Sequence, residues 1–226
     1  MKEVVIKANK VCKSFMIGKQ ETQIIKNVSF EIEKGDFVSI MGPSGSGKST
    51  LLYMLGGYDL VSSGEIEVLG KKLYQLNDKG QSIARRRDIG FVWQFYNLVP
   101  NLTVEENILL PALLDGKSKA ELQEKLDEIL EIVDLKDRKS NTPPELSGGQ
   151  QQRTAIARAL INDPQIIFAD EPIGNLDSKN GEQVLRLLSR INREQKKTIV
   201  MVTHSQESAA YGNRIIYLKD GQIDEK

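Results

Sequence analysis

The 226-residue sequence contains one cysteine, one histidine and one tryptophan, and it has no excess of either charge. Because a disulfide needs two cysteines, the single Cys12 excludes a fold held together by intramolecular disulfides. Lysine and arginine together number 31, as do aspartate and glutamate. This balance gives no overall attraction to nucleic acid or to an anionic membrane, so no nucleic-acid partner is expected.

Long hydrophobic runs are also missing. The most apolar stretch, "ILLPALL" at 108–114, contains a proline and is far shorter than the roughly 20 apolar residues that cross a bilayer. The opening "MKEVVIKANK" interrupts its apolar residues with charges, unlike the core of a signal peptide. We therefore expect a cytoplasmic protein that acts on a membrane only through a partner.

Three regions differ in their patterns, within a length that suits one domain with an inserted lobe. Residues 1–95 alternate short β-prone runs with Gly, Lys and Asn, which predicts antiparallel strands around a glycine loop. Residues 96–163 predict a helical lobe, and residues 164–226 alternate apolar strands with helices, which predicts a parallel sheet. The whole chain 1–226 is thus predicted to form one domain.

Apolar residues at helical spacing mark the middle region. Ser118 and Glu121 have the S-x-x-E form of a capping box just before them. We interpret the apolar residues as core packing rather than a binding surface. They are Leu122, Leu126, Ile129, Leu130 and Val133.

The strongest motif is "GPSGSGKST", which has the pattern G-x-x-x-x-G-K-[ST] between the apolar strand "FVSIM" and a predicted helix. Glycines let backbone N–H groups surround phosphate oxygens, Lys48 brings a charge to the β- and γ-phosphates, and Ser49 can ligate Mg²⁺. The strand-loop-helix context argues against an accidental lysine in a glycine turn. The predicted nucleotide-binding residues here are Gly42, Pro43, Ser44, Gly45, Ser46, Gly47, Lys48, Ser49 and Thr50.

A nucleotide site of this kind also needs an acid for the metal. The stretch "IIFADE" places Asp170 at the end of an apolar strand, with Glu171 beside it. Asp170 is predicted to hold Mg²⁺, and Glu171 to orient or deprotonate an attacking water. A helix N-terminus is the ordinary explanation of an Asp-Glu pair, but the glycine loop favours the functional one.

Two further polar residues follow apolar runs. His204 ends "KTIVMVTH", and the carboxyl end of a parallel strand is where open α/β sheets bind ligands. There it can contact the γ-phosphate or steady Glu171, although a lone histidine is more often structural. Gln94, in "GFVWQFYN", is no more than a surface amide on its local sequence.

A second glycine-rich stretch, "LSGGQQQR" at 146–153, has no lysine and no acid of its own. Ser147 and Gln150 have the form of a capping box before a predicted helix, whose N-terminus attracts phosphate. Three explanations are open. The loop folds onto its own nucleotide site, or it completes the site of a second copy of the chain, or Gly148 and Gly149 form only a tight turn.

In their order along the chain, "GPSGSGKST", Gln94, "LSGGQ", "IIFADEP", "GNLD" and His204 resemble the nucleotide-binding subunit of an ABC transporter. The resemblance implies an α/β fold, with a P-loop NTPase core, an antiparallel β subdomain and an inserted α-helical subdomain. It implies ATP and Mg²⁺ as cofactors and active hydrolysis of ATP. It further implies a head-to-tail homodimer around two ATP, and an integral membrane permease as partner. Such a subunit is cytoplasmic and peripheral on the inner face of the cell membrane.

The resemblance also assigns roles to single residues. Phe15, where many relatives have tyrosine, is expected to stack on adenine, and Asp177 matches the D-loop aspartate. The implied catalytic residues are Glu171, His204 and Gln94, and the implied metal ligands are Ser49, Gln94 and Asp170. The implied signature residues, which contact the ATP of the other subunit, are Leu146, Ser147, Gly148, Gly149 and Gln150.

A finer similarity, through "IGFVWQFYNLVPNLTVEENILLP" and "ADEPIGNLDS", is to the branch that serves lipoprotein release, macrolide export and antimicrobial-peptide resistance. Relatives usually have threonine where this chain has Ile173, a change from which we expect little effect on chemistry. The alternative to powering a transport permease is an ATP-driven regulator of signalling, cell division or the cell wall that acts through a permease-like partner. A soluble ATPase acting on DNA or ribosomes is disfavoured, because the chain lacks a coiled-coil insertion and a second cassette. The basic run "RRR" at 85–87 predicts a solvated surface or a permease contact.

Overall fold

Two sheets and seven α-helices organise the part of the chain that the computed structural model describes, residues 3–224. Residues 1 and 2 of the predicted region 1–95, and residues 225 and 226 of the predicted region 164–226, lie outside the described residues. The strands are β1 (Val4–Ile17), β2 (Gln20–Glu33), β3 (Phe37–Met41), β4 (Ser63–Val68), β5 (Ile89–Val92), β6 (Ile166–Asp170), β7 (Thr198–Thr203), β8 (Arg214–Lys219) and β9 (Gln222–Ile223). The helices are α1 (Lys48–Leu55), α2 (Asp78–Arg87), α3 (Val104–Leu114), α4 (Lys119–Ile132), α5 (Gly148–Leu160), α6 (Ser178–Gln195) and α7 (Gln206–Ala209).

The smaller sheet has the order β2-β1-β4 and is antiparallel throughout. The larger sheet has the order β5-β6-β7-β3-β8-β9, in which only β9 pairs antiparallel. The strand "FVSIM", predicted to be buried, is β3 and belongs to the larger sheet, where it pairs parallel with β7 and β8. All five of its residues are buried, which is typical of a strand covered by other elements on both faces.

Successive side chains along the strands of the larger sheet point to opposite faces, so the apolar interior forms two cores, one on each face. In β6, Ile166 and Phe168 face one core, whereas Ile167 and Ala169 face the other. The first core joins this sheet to the antiparallel sheet and to α1. The second core joins the opposite face to α6 and to the helical lobe formed by α3, α4 and α5. The helical lobe therefore shares its core with the sheet rather than having one of its own.

Each helix of the helical lobe begins with its own capping box. The boxes predicted at Ser118 and Ser147 are both present, and Thr103 with Glu106 forms another at the start of α3. Reciprocal bonds of this kind satisfy N–H groups that a helix start otherwise leaves free. The apolar residues predicted to pack in the core along α4 are all buried. The helix boundaries of the lobe thus follow from local sequence.

Helix α2 was not predicted, and it carries the basic run. Arg85 donates to the Gly57 carbonyl over 2.8 Å, and Arg87 pairs with Asp115 at 2.8 Å. Arg86 donates to the carbonyl of the last residue of α3. Each arginine of the run thus has a partner within the chain, while Arg87 stays exposed to solvent. No helix within residues 3–224 is both long and apolar enough to span a membrane.

Candidate functional site

The order of the parallel strands brings the predicted site residues to one edge of the sheet. Strands β6, β7 and β3 are neighbours, so their carboxyl ends meet at the same edge. The glycine loop follows β3, Asp170 ends β6, and His204 directly follows β7. Three segments that are far apart in sequence therefore lie around one site.

The glycine loop turns sharply from β3 into α1. Gly47 has a φ of 95°, and a Cβ atom there would lie 2.6 Å from Cδ1 of Ile25, so the position requires glycine. The Lys48 ammonium donates to the carbonyl oxygens of Gly42 at 2.9 Å and Pro43 at 2.8 Å. Burial lowers the pKa of Lys48, an effect that the nearby carboxylates oppose. The loop thus holds its lysine in a fixed place at the start of the helix.

Asp170 is 3% exposed and accepts two hydrogen bonds from hydroxyl groups of α1. Ser49 donates to Oδ1 over 2.8 Å, and Tyr53 donates to Oδ2 over 2.5 Å. Carboxylate and hydroxyl oxygens suit Mg²⁺, which proteins commonly hold with one or two carboxylates together with phosphate oxygens of the substrate. No cluster of three or more His, Cys, Asp and Glu side chains suited to a metal occurs within residues 3–224. A metal here would thus depend on a bound nucleotide for its remaining ligands.

Glu171 and His204 form a close pair across the ends of β6 and β7. The distance between Oε2 of Glu171 and Nδ1 of His204 is 2.7 Å. The backbone of Glu171 has a φ of 44°, in the left-handed region that non-glycine residues rarely adopt. Its N–H donates to the Val202 carbonyl of β7 over 3.1 Å. Backbone strain at such a residue is typical of functional sites, and here it turns the carboxylate toward the histidine.

Lys48, Glu171 and His204 line one cavity of about 810 Å³, whereas Gly42, Pro43, Ser46 and Asp170 are not among its lining residues. Phe15, which is 40% exposed, comes from β1, and Lys13 lies over its ring at 4.7 Å from the ring centre. The predicted residues that line this cavity are Phe15, Ser44, Gly45, Gly47, Lys48, Ser49, Thr50, Gln94, Glu171 and His204. An aromatic ring, a lysine, three hydroxyl groups and a paired carboxylate therefore face one space, a set that suits a nucleoside triphosphate.

The signature residues lie elsewhere. None of Leu146–Gln150 lines this cavity among the residues that the structure describes. Ser147 is exposed at the N-terminus of α5, and a Cβ atom at Gly149 would lie 2.4 Å from Oδ1 of Asn180. Folding of this loop onto its own glycine loop is therefore not what the chain adopts.

Asp177 is also outside the cavity, where it caps α6. Its two carboxylate oxygens accept from the backbone N–H of Asn180 at 2.9 Å and from the Asn180 side chain at 2.7 Å. These hydrogen bonds lower the pKa of Asp177. This capping role was not predicted, although an aspartate followed by a predicted helix is a recognised start signal.

Gln152 and Tyr53 are two residues near the site that the sequence analysis missed. Gln152 is fully buried, and its amide donates to the Pro172 carbonyl over 2.6 Å, tying α5 to the segment that follows Glu171. It lies in a run of three glutamines, so residue type alone does not indicate which of the three is buried. Tyr53 lies within an apolar helix and has the pattern of a core residue.

Comparison with known proteins gives consistent matches. A family model described as ABC transporter matches residues 25–174. The lipoprotein-releasing system ATP-binding protein of Chlorobium chlorochromatii is 43% identical over 225 residues, covering 99% of this chain and 92% of that protein. A macrolide export ATP-binding/permease protein of Mannheimia succiniciproducens is 46% identical over 97% of this chain and 34% of that longer protein.

A solved structure agrees with the sequence matches. It is the dimeric, post-hydrolysis state of the ATP-binding cassette MJ0796 with ADP and Pi, at a TM-score of 0.89 with 45% identity over 97% of each chain. MJ0796 comes from Methanocaldococcus jannaschii. The predicted α/β fold, a P-loop NTPase core with an antiparallel β subdomain and an inserted helical subdomain, is confirmed, as is the prediction of an ABC-type ATPase. This protein belongs to the ABC transporter family, as an ATP-binding and ATP-hydrolysing subunit.

Proposed function

We propose that the chain binds ATP with Mg²⁺ in the 810 Å³ cavity, hydrolyses it within a homodimer, and powers a separate membrane permease for export or lipoprotein release. The observation that carries this proposal is the contact of 2.7 Å between Glu171 and His204, on the wall of the cavity that also contains Lys48 and Ser49. A base for water, a charge for phosphate and a metal ligand are the parts that phosphoryl transfer to water needs.

Glu171 acts as the general base, and His204 orients it. Because a carboxylate only accepts hydrogen bonds, Nδ1 of His204 carries the proton in their contact. Oε2 of Glu171 is thereby occupied, and Oε1, which accepts no hydrogen bond from the described residues, is left to take a proton from water. Ser49, Asp170 and Gln94 would hold Mg²⁺, and the bound ion would neutralise charge on the phosphate oxygens.

The dimer is proposed from the position of the signature residues. Ser147 is exposed at the start of a 13-residue helix, whose dipole and free N–H groups favour a phosphate. These groups do not reach the cavity of their own chain. In the proposed dimer, Leu146–Gln150 close over ATP bound to the second copy, and Asp177 lies at the same interface. The dimeric structure of the similar cassette supports this arrangement.

A permease docking surface is proposed beside Gln94. Phe95 is 69% exposed and Leu114 is 63% exposed. A cavity of about 330 Å³ has walls that include Trp93 and Asn97, which lie on either side of Phe95 in sequence, and Pro111 and Arg158. Apolar side chains around a concave surface suit an amphipathic helix of a partner. A chain that docks there would be cytoplasmic, on the inner face of the membrane.

The docking surface can be tested with two matched serine variants. Tagged wild-type protein added to detergent-solubilised native membranes should retain a polytopic membrane protein. Phe95→Ser should lose this partner, because it removes the exposed ring next to Gln94. Ile215→Ser, which alters another exposed apolar residue on β8, should retain it. Recovery of only soluble partners by the wild type would contradict the proposal.

Lys48→Ala should weaken binding of nucleotide itself. Lys48 is the only lysine or arginine that lines the cavity among the described residues, so the substitution removes the positive charge that faces the phosphates. The affinity for ATP, measured by isothermal titration calorimetry, should fall by at least about tenfold, in line with the roughly 1.5–3 kcal/mol of a charged hydrogen bond. Lys179→Ala, on the exposed start of α6, serves as the control. Unchanged affinity in Lys48→Ala would show that ATP binds elsewhere.

A further inference from the structure

Asp170 is a buried carboxylate whose side chain accepts hydrogen bonds only from hydroxyl groups within residues 3–224. It forms no ion pair with any residue in the range 3–224, and it is 3% exposed. Ser49 donates to Oδ1 and Tyr53 to Oδ2. Burial of a charged carboxylate is unfavourable unless its oxygens accept hydrogen bonds. The orientation of Asp170 is therefore set by these two donors.

The two donors belong to one face of α1. Tyr53 follows Ser49 by four residues, and residues at this spacing are neighbours on a helix surface. The 2.5 Å contact of Tyr53 is in the range typical of hydroxyl donors to a charged oxygen. Because a carboxylate only accepts hydrogen bonds, the Tyr53 hydroxyl is the donor in this contact.

Aromatic neighbours hold the Tyr53 ring in place. Its ring centre lies 5.6 Å from that of Trp93 and 6.0 Å from that of Phe91. Trp93 and Phe91 are themselves stacked, with ring centres 4.0 Å apart. The hydroxyl of Tyr53 therefore points at Asp170 from a ring that packs against Trp93, the residue that precedes Gln94 in sequence.

We propose that Tyr53 is a positioning residue for the magnesium site, because its hydroxyl holds Oδ2 of Asp170 so that Oδ1 stays directed at Ser49. This inference rests on the proposed role of Asp170 as the acid for the metal. A purely structural role has a different consequence. If Tyr53 only satisfied a buried oxygen, its removal would leave Oδ2 free, and metal affinity would stay the same or increase.

Tyr53→Phe keeps the ring and removes only the donor. We expect the affinity of the ADP-bound protein for Mn²⁺, as a substitute for Mg²⁺, to fall about tenfold or more, as for other residues that orient metal ligands. Affinity for ADP without metal should not change. The ATPase rate should be low at limiting Mg²⁺ and return toward that of the wild type at high Mg²⁺. Calorimetric titration gives the affinities without relying on activity.

Tyr74→Phe is the matched control, because the Tyr74 hydroxyl donates to no other residue in the range 3–224. Equal or tighter Mn²⁺ binding by Tyr53→Phe would overturn the positioning role and leave the proposed function intact. Failure of the wild-type chain to bind Mn²⁺ with ADP would instead overturn the proposed metal site, and this inference with it. The emission maximum of Trp93, the only tryptophan, reports whether the rings around position 53 still pack.

Discussion

Glu171→Gln should slow ATP hydrolysis about 10²–10⁴-fold, which is the usual effect of removing a general base. The amide has nearly the shape of the carboxylate but cannot accept a proton from water. Because Lys48, Ser49 and the loop around them are unchanged, ATP should still bind. ATP that binds without being cleaved should hold two chains together, so the variant should elute as a dimer in size-exclusion chromatography with ATP.

The control for this experiment is Glu128→Gln, which makes the same change on the exposed face of α4. It should hydrolyse ATP at the wild-type rate. A Glu171→Gln protein that stays monomeric at saturating ATP and high protein concentration would be incompatible with the proposed dimer. Wild-type hydrolysis by the same variant would remove Glu171 from the mechanism.

Ser147→Arg should abolish hydrolysis while leaving the nucleotide affinity of the monomer nearly unchanged. The long charged side chain would project from the exposed start of α5, where the proposed dimer brings the ATP of the second copy. The cavity of the same chain does not contain position 147, so binding by one chain is not affected. Phosphate release gives the rate, and calorimetry gives the affinity.

Loss of the helix cap alone would also affect this variant, at a cost of about 1 kcal/mol. Ser118→Arg is therefore a suitable control, because Ser118 caps α4 with the same kind of capping box and is equally exposed. It should lose similar thermal stability and keep full hydrolysis. A large fall in the nucleotide affinity of Ser147→Arg would contradict the proposal and favour a role of the loop within its own chain.

Local sequence was sufficient to predict the elements that depend only on residues close together in the chain. The capping residues Ser118 and Ser147 fix helix starts through bonds that span three residues, and the glycine loop is a short contiguous motif. The strands that pair with β3 could not be predicted from neighbouring residues. Its partners β7 and β8 lie more than 150 residues further along the chain, and a fully buried strand lacks the alternation that distinguishes one pairing from another.

The same distinction applies to the site. Lys48 and Asp170 were predicted from their motifs. Local sequence offered His204 only as the end of an apolar strand and Gln94 only as a surface amide, and the family resemblance supported both. Their positions depend on β5, β6 and β7 being neighbours. Tyr53 was missed because its hydroxyl bond joins residues 117 positions apart, while its immediate surroundings are those of an apolar helix. Helix α2 was missed because Ala84 is its only buried residue, so it has almost no apolar face.

The core that the helical lobe shares with the sheet has a mechanical consequence. Side chains of α3, α4 and α5 pack in the same cluster as Ile167, Ile199 and Met201 of the sheet. Protein interiors are close-packed and have low compressibility, so a displacement at one side is passed on with little slack. A displacement of the lobe is therefore passed on to β6 and β7, which end directly before Glu171 and His204. The protein is stiff along the path from its outer surface to the proposed catalytic pair.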